Sequence, residues 1–236
     1  MARSSSIAPP PSEPDKLWVE DLSLRARRSR DKMKAAAVTL INRTGYPSLR
    51  VQDITQEAGV ANGLFYRYFR DLNEIVAEIT SDLFDRIVHA FDLVDPEADI
   101  FRWMVDVHRI VLDIFAANPG ILACLFGKSG DDETFARIWS GNAHVWNLEV
   151  ADQLVARKVM GRGQAESLSF VLGAVTEGMI YQALVRRTAD LLELTASTTA
   201  GLAELIATTW HKIVFLADPP ADALTVGKRL TGDPVP

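Results

Sequence analysis

From about Leu24 to Leu216, apolar residues recur every three or four positions, and no segment alternates as a strand would. A chain patterned this way hides its apolar surface by packing helix on helix, so the sequence predicts an all-α fold. Met33, Ala36, Ala37, Leu40, Ile41 and Thr44 form one stripe, stopped by Gly45. Val51, Ile54 and Ala58 form a short second stripe closed by Gly59, and Phe65, Phe69 and Leu72 a third. Longer helices are expected over residues 73–94, 100–117, 132–158, 164–187 and 191–216. Asn118-Pro119-Gly120 reads as the end of the second of these, and Asp218-Pro219-Pro220 as the end of the last. The predicted organisation is a flexible Ser/Pro-rich arm (1–24), a three-helix domain (25–75), a larger helical domain (76–217) and a loose tail (218–236).

With 236 residues, 48% of them apolar, the chain can build a sizeable core without a disulfide or metal staple. The longest run without a charge, residues 114–127, is 14 residues long and contains Pro119, whereas a spanning helix needs about 20 apolar residues. No membrane span is therefore expected. An N-terminus without an apolar run and a single cysteine, Cys124, point to a cytoplasmic protein. Charge is uneven. Residues 24–70 hold ten Lys/Arg and three acids, a net of +7, while the rest of the chain carries −13. A basic segment on an acidic body suits a polyanion docked at one end. Arg25, Arg27, Arg28 and Arg30 read either as an arm for the minor groove or as a solubilising first helical turn.

The three short stripes describe a helix-turn-helix. Gly59 stands where the chain must turn sharply and glycine accepts a positive φ at no steric cost. Ala58 lets the helices cross closely, and Val60 plugs the angle between them. If Phe65, Phe69 and Leu72 face inward, then Asn62, Gly63, Tyr66, Arg67 and Arg70 face outward. That set offers an amide for adenine, a glycine for close approach, and hydroxyl and guanidinium donors for phosphates.

The stretch from Lys34 to Ile75, above all Asp53-Ile54 through Ala58-Gly59-Val60 to Tyr68-Phe69, resembles the DNA-binding domain of TetR-family transcriptional regulators. The resemblance implies an all-α homodimer that binds a pseudo-palindromic double-stranded operator and is released from it by a small, largely apolar or aromatic effector bound in the larger domain. It places Arg50, Asn62, Gly63, Leu64, Tyr66, Arg67, Tyr68 and Arg70 at the DNA. The chain departs from the family pattern at several of these positions. Arg50 replaces the hydroxyl usual before the second helix, where Ser48 is an alternative cap, and Ala61 cannot cap the reading helix, which leaves Asn62 to do so. Leu64 replaces a frequent Thr and suits a thymine methyl, while Leu72 replaces a lysine whose phosphate contact falls to Arg70.

In the larger domain, the aromatic residues supply a core and, with a few polar groups, a candidate effector pocket: Trp103, Val107, His108, Val111, Phe126, Trp139, Asn142, His144, Trp146 and Tyr181. Arg102, Arg109 and Lys128 either recognise an acidic ligand or lie on helix surfaces. The last two helices carry apolar and small residues, and Leu168, Leu172, Val175, Met179, Leu202, Leu205, Ile206, Thr209 and Ile213 are the candidate dimer interface, an intramolecular core being the alternative. His89, His108, His144 and His211 lack metal-site spacing, so neither a metal nor another cofactor is expected. Two other function classes find only partial support in the sequence. Phe126-Gly127-Lys128-Ser129 imitates the end of a phosphate loop, but Leu122 occupies the required first glycine position, and no catalytic motif accompanies it. A helical protein-interaction module would explain the amphipathic helices but not the Asn62/Tyr66/Arg67 face.

Overall fold

The computed structural model describes residues 23–225 except 218, so most of the expected arm and the end of the tail lie outside the described residues. Among the described residues all regular structure is helical. Helix α1 (Leu24–Thr44) starts at Ser23, whose hydroxyl accepts from the Ala26 amide at 3.3 Å, and stops at Gly45 with φ +79°. The basic cluster Arg25–Arg30 is thus the first turns of a helix rather than an extended arm. A 3-10 turn (Tyr46–Ser48) leads to α2 (Val51–Glu57), α3 (Asn62–Tyr68) and α4 (Leu72–Val88). Met33, Ala37, Ile41, Ile54, Phe65, Phe69 and Ile75 close a core between them.

The larger domain comprises α5 (Ile100–Ala116), α6 (Pro119–Lys128), α7 (Glu133–Ala156), α8 (Arg162–Ile180), α9 (Ala189–Leu194) and α10 (Thr199–Phe215). Asp99, Asp132 and Thr198 cap α5, α7 and α10 with their side-chain oxygens. Helix α8 widens at its end into a π turn, Tyr181–Val185. Two departures from the sequence reading have local causes. Pro119 does more than end α5: it occupies the first turn of α6, where its missing N–H would be unpaired in any case. The helix expected over 191–216 is broken because Ala196 and Ser197 both adopt left-handed conformations, φ +52° and +55°, which separate α9 from α10.

Helix α10 lies inside the molecule, packed on α5 and touching α8. Leu202, Leu205 and Ile206 are buried there, as is Leu172 on α8, so these four candidate interface residues are core. Nor is the tail loose where it is described. Leu224 is 5% exposed within the core, and the Thr225 amide donates to the Glu204 carboxylate. One helix contradicts the charge-run argument about membranes: Arg162–Val185 is long and apolar enough to span, although only 28% of its most apolar window is buried. Glu166 and Glu177 interrupt the sequence run without making the helix polar.

Five candidate pocket residues, Trp103, Val107, His108, Val111 and Trp146, are buried in the core rather than lining an opening. Phe91 packs on Trp103 and Trp146 with ring centroids 6.0 and 4.7 Å apart. His108, 1% exposed, pairs Nδ1 with the Met104 carbonyl at 2.6 Å and Nε2 with the Thr176 hydroxyl at 3.3 Å. Trp210 Nε1 donates to the same hydroxyl at 3.1 Å, and its ring meets the imidazole edge-on. The bonding pattern fits a neutral imidazole with its proton on Nδ1, Thr176 donating to Nε2 while accepting from Trp210.

Helix α6 joins the two domains. Its Gly120 amide donates to Asn42 Oδ1 on α1 at 2.8 Å, and a Cβ on Gly120 would lie 2.3 Å from the Ile41 carbonyl oxygen. At the other end of α6, Lys128 Nζ reaches Asn73 Oδ1 at 3.0 Å and stands 4.7 Å over the Tyr46 ring. The Tyr46 hydroxyl also donates to Asn73 Oδ1, and Asn73 Nδ2 donates to Asp132 at 3.2 Å. Arg30 with Glu78 and Lys34 with Asp82 tie α1 to α4.

Two outcomes follow. Because the Gly120 Cβ would meet backbone rather than a movable side chain, Gly120→Ala should destabilise the protein by about 2 kcal/mol or more in urea unfolding. Burial holds the His108 imidazole down at a pKa of about 4, so between there and 6.5 the unfolded chain binds more protons than the folded one. Stability should therefore fall as pH drops from 6.5 to about 4, by on the order of 3 kcal/mol, and His108→Gln should flatten that part of the profile.

Candidate nucleic-acid interface

The turn between α2 and α3 is built by Gly59, φ +65°, with the Val60 amide bonded to the Thr55 carbonyl at 2.9 Å. A residue with a side chain would be strained there. Phe65 and Phe69 bury their rings 5.4 Å apart, which anchors one side of α3 and turns the other to solvent. On the outer side Asn62, Gly63, Tyr66 and Arg67 are exposed, Tyr66 to 62% of its surface. A Cβ on Gly63 would meet nothing within 4 Å, so the helix start is open to close approach. Leu64 and Tyr68 lie half-buried at the flanks of this face.

The polar groups of the face are not equally free. Arg67 has no bond or ion pair within the described residues, and its guanidinium is available to an anion. Arg70 is engaged with Glu74, Nε to Oε2 at 3.3 Å, while its amide also donates to that carboxylate. Arg50 folds back onto the Leu49 and Pro47 carbonyls, at 2.8 and 3.1 Å. The Thr55 hydroxyl is shared between the Gln52 carbonyl at 3.0 Å and Asn62 Oδ1 at 3.2 Å. Asn62 is thus oriented by α2 rather than capping its own helix, and neither α2 nor α3 has a side-chain N-cap, from Ser48 or any other residue. Both helix starts consequently keep unpaired amides, which suit phosphate oxygens.

Residues 35–79, spanning this turn and its flanking helices, match the family model described as bacterial regulatory proteins, tetR family. The N-terminal domain belongs to the TetR family of transcriptional regulators. A transcriptional regulator from Rhodococcus sp. Rha1 superposes with a TM-score of 0.65 at 16% identity, covering 78% of this chain and 96% of its own. A tetR-family transcriptional regulator from Streptomyces coelicolor also gives 0.65, at 14% identity and coverages of 87% and 89%. These likenesses extend the TetR architecture over the larger domain as a fold. No curated protein matches the chain. TetR-family proteins are regulators and not enzymes, and the phosphate-loop imitation at Phe126–Ser129 is accounted for by its place at the end of α6.

The remaining pocket candidates separate into two groups. Phe126, Trp139 and Tyr181 come together from α6, α7 and the π turn, with Phe126 4.9 Å from Trp139 and 5.0 Å from Tyr181. Asn142 spends its amide on the Ile138 carbonyl at 2.7 Å, and His144 is exposed. Sequence reasoning missed Glu177, half-buried on α8, toward which the Trp139 indole N–H is directed. Its position four residues before Tyr181, one helical turn away, was the available signal. Burial raises its carboxyl pKa, and the Trp139 bond lowers it only in part. A cleft of about 650 Å³ lies elsewhere, lined by Pro96, Ile100, Arg157, Lys158 and Phe215, and includes none of the candidate residues.

The unequal engagement of the cations separates their expected contributions. Arg67→Ala should weaken binding to all DNA and lower the slope of log affinity against log salt by about one unit. Arg70→Ala should change that slope less, because Glu74 already holds its guanidinium. Asn62→Ala should cost roughly 1–3 kcal/mol on operator and little on random DNA. Fluorescence anisotropy on both DNAs across a salt series checks all three.

Proposed function

We propose that the protein is a cytoplasmic, homodimeric repressor that binds a pseudo-palindromic operator and leaves it when a small effector occupies the larger domain. The observation that carries this reading is the open Asn62-Gly63-Tyr66-Arg67 face of α3, held outward by the buried Phe65 and Phe69 within a TetR-family domain. Arg67 and Tyr66 serve phosphates, Asn62 reads a base, and Leu64, Tyr68, Arg50 and Arg70 line the margins. One such face reads a few base pairs. Two, about 34–36 Å apart on a dimer, meet successive major grooves on one side of the duplex.

The dimer contact is assigned to α7 and α8 rather than to α8 and α10. Phe170 and Val171 are 58% and 51% exposed on α8, and Val145 and Leu148 are exposed beside them on α7. Ala174 and Gly178 extend the face, while Leu168, Val175 and Met179 lie half-buried along it. The charges at one end of this face, Arg162 with Asp152 and Glu166, are paired within the protomer. A helix this apolar and this little buried suits the same face of a second copy, which gives a four-helix contact of the isologous kind. Thr209 and Ile213 lie half-buried on α10, outside this face.

The test is anisotropy of the full chain on DNA from upstream of its own gene, with random DNA as control. Tight, salt-sensitive preference for the upstream fragment supports the reading, whereas equal binding to both fragments and no site in a genomic selection would refute it. Phe170→Glu should convert the protein to a monomer in sedimentation velocity and lower operator affinity at least tenfold while leaving the helical signal intact. A dimeric Phe170→Glu protein would move the interface elsewhere.

A further inference from the structure

The aromatic group at the end of α8 has a composition that an apolar core does not require. Three half-buried rings from three different elements converge there, and a carboxylate adjoins one of them: Glu177 lies on α8 one turn before Tyr181, next to the Trp139 indole. Phe84 extends the ring cluster from α4, 5.9 Å from Trp139. No ion pair reaches Glu177 within the described residues, although ten such pairs occur elsewhere. Ring faces attract cations, and a partly desolvated carboxylate without a counter-ion does so more strongly. The cations that would recognise an acidic ligand are already occupied: Arg102 and Arg109 both pair with Asp106, and Lys128 is held at the domain junction.

We propose that Glu177, Phe126, Trp139 and Tyr181 form the effector site and that it takes an organic cation, a quaternary ammonium or protonated amine carrying an apolar or aromatic body. The assignment rests on the regulator reading for its biological use, but the binding itself does not. The cation lies against the ring faces with Glu177 as counter-ion, and its apolar body parts Phe126 from Tyr181. The π turn that begins at Tyr181 packs on α6, and such wide turns concentrate at functional sites. Phe126 stands two residues before Lys128 on the last turn of α6. Displacing Phe126 therefore moves the turn whose lysine holds Asn73 and covers Tyr46, and with it the seat of the DNA-binding domain.

Phenyltrimethylammonium is the probe, titrated calorimetrically into the full chain without DNA, with its uncharged isostere tert-butylbenzene as control. The cation should bind and shift the Trp139 indole N–H resonance, identified by its absence in Trp139→Phe. Glu177→Gln should weaken binding about tenfold or more, while Tyr181→Phe, which keeps the ring, should stay within about threefold. Unchanged thermal midpoints show that both variants fold. No binding by the wild-type chain, equal affinity for the isostere, or an unaffected Glu177→Gln protein would each overturn the site. Operator affinity measured without the probe is a separate result: DNA binding without cation binding removes only this site, and cation binding without operator binding removes only the regulator reading.

Discussion

The contact between Gly120 and α1 is the constraint on which the arrangement of the two domains depends. With no side chain at that position, the start of α6 lies directly on the Ile41–Asn42 backbone, and its amide takes the Asn42 side-chain oxygen. A short helix fixed so closely at one end has little freedom except at the other. There Lys128 meets Tyr46, Asn73 and Asp132, which come from the 3-10 turn, the start of α4 and the cap of α7. Helix α6 is therefore a strut whose two ends touch different parts of the DNA-binding domain. Any change in its tilt must be taken up by that domain as a rigid unit, because the core around Phe65, Phe69 and Ile41 is closed.

The larger domain is organised by a buried helix instead. Helix α10 fills the centre, which leaves α7 and α8 as the outer pair and explains why the most apolar long helix remains largely uncovered in a single protomer. The His108–Thr176–Trp210 group satisfies its own polar atoms inside this core, fixing the register of α5, α8 and α10. The exposed apolar face on α7 and α8 and the outer side of α3 are thereby left at the periphery, with the half-buried aromatic group beside α6.

The small domain was legible in the sequence because each of its decisions is local. Gly59 marks its turn, and the spacing of Phe65 and Phe69 decides which side of α3 faces outward. Much of the larger domain was not legible, because its choices are made by tertiary packing. Pro119-Gly120 carries the same signal whether it ends one helix or begins the next, so α6 went unseen. The apolar stripe of α10 has the period of a surface helix facing one partner, yet the helix is covered on several sides. Glu177 reads as an ordinary solvated acid until the fold sets it beside Trp139, whose ring meets Phe126 and through it Tyr181, all far apart in sequence.

The bond between Thr55 and Asn62 bears on how the reading helix searches. An amide already seated on its own protein gives up one partner to take another, so recognition of a base is an exchange, and its net gain is the difference between two hydrogen bonds. The free guanidinium of Arg67 makes no such exchange and engages any phosphate it meets. On the proposed function the face has two modes. In one, Asn62 stays on Thr55 and only the DNA backbone is held. In the other the amide swings out, and a wrong base leaves it better satisfied at home than on the DNA.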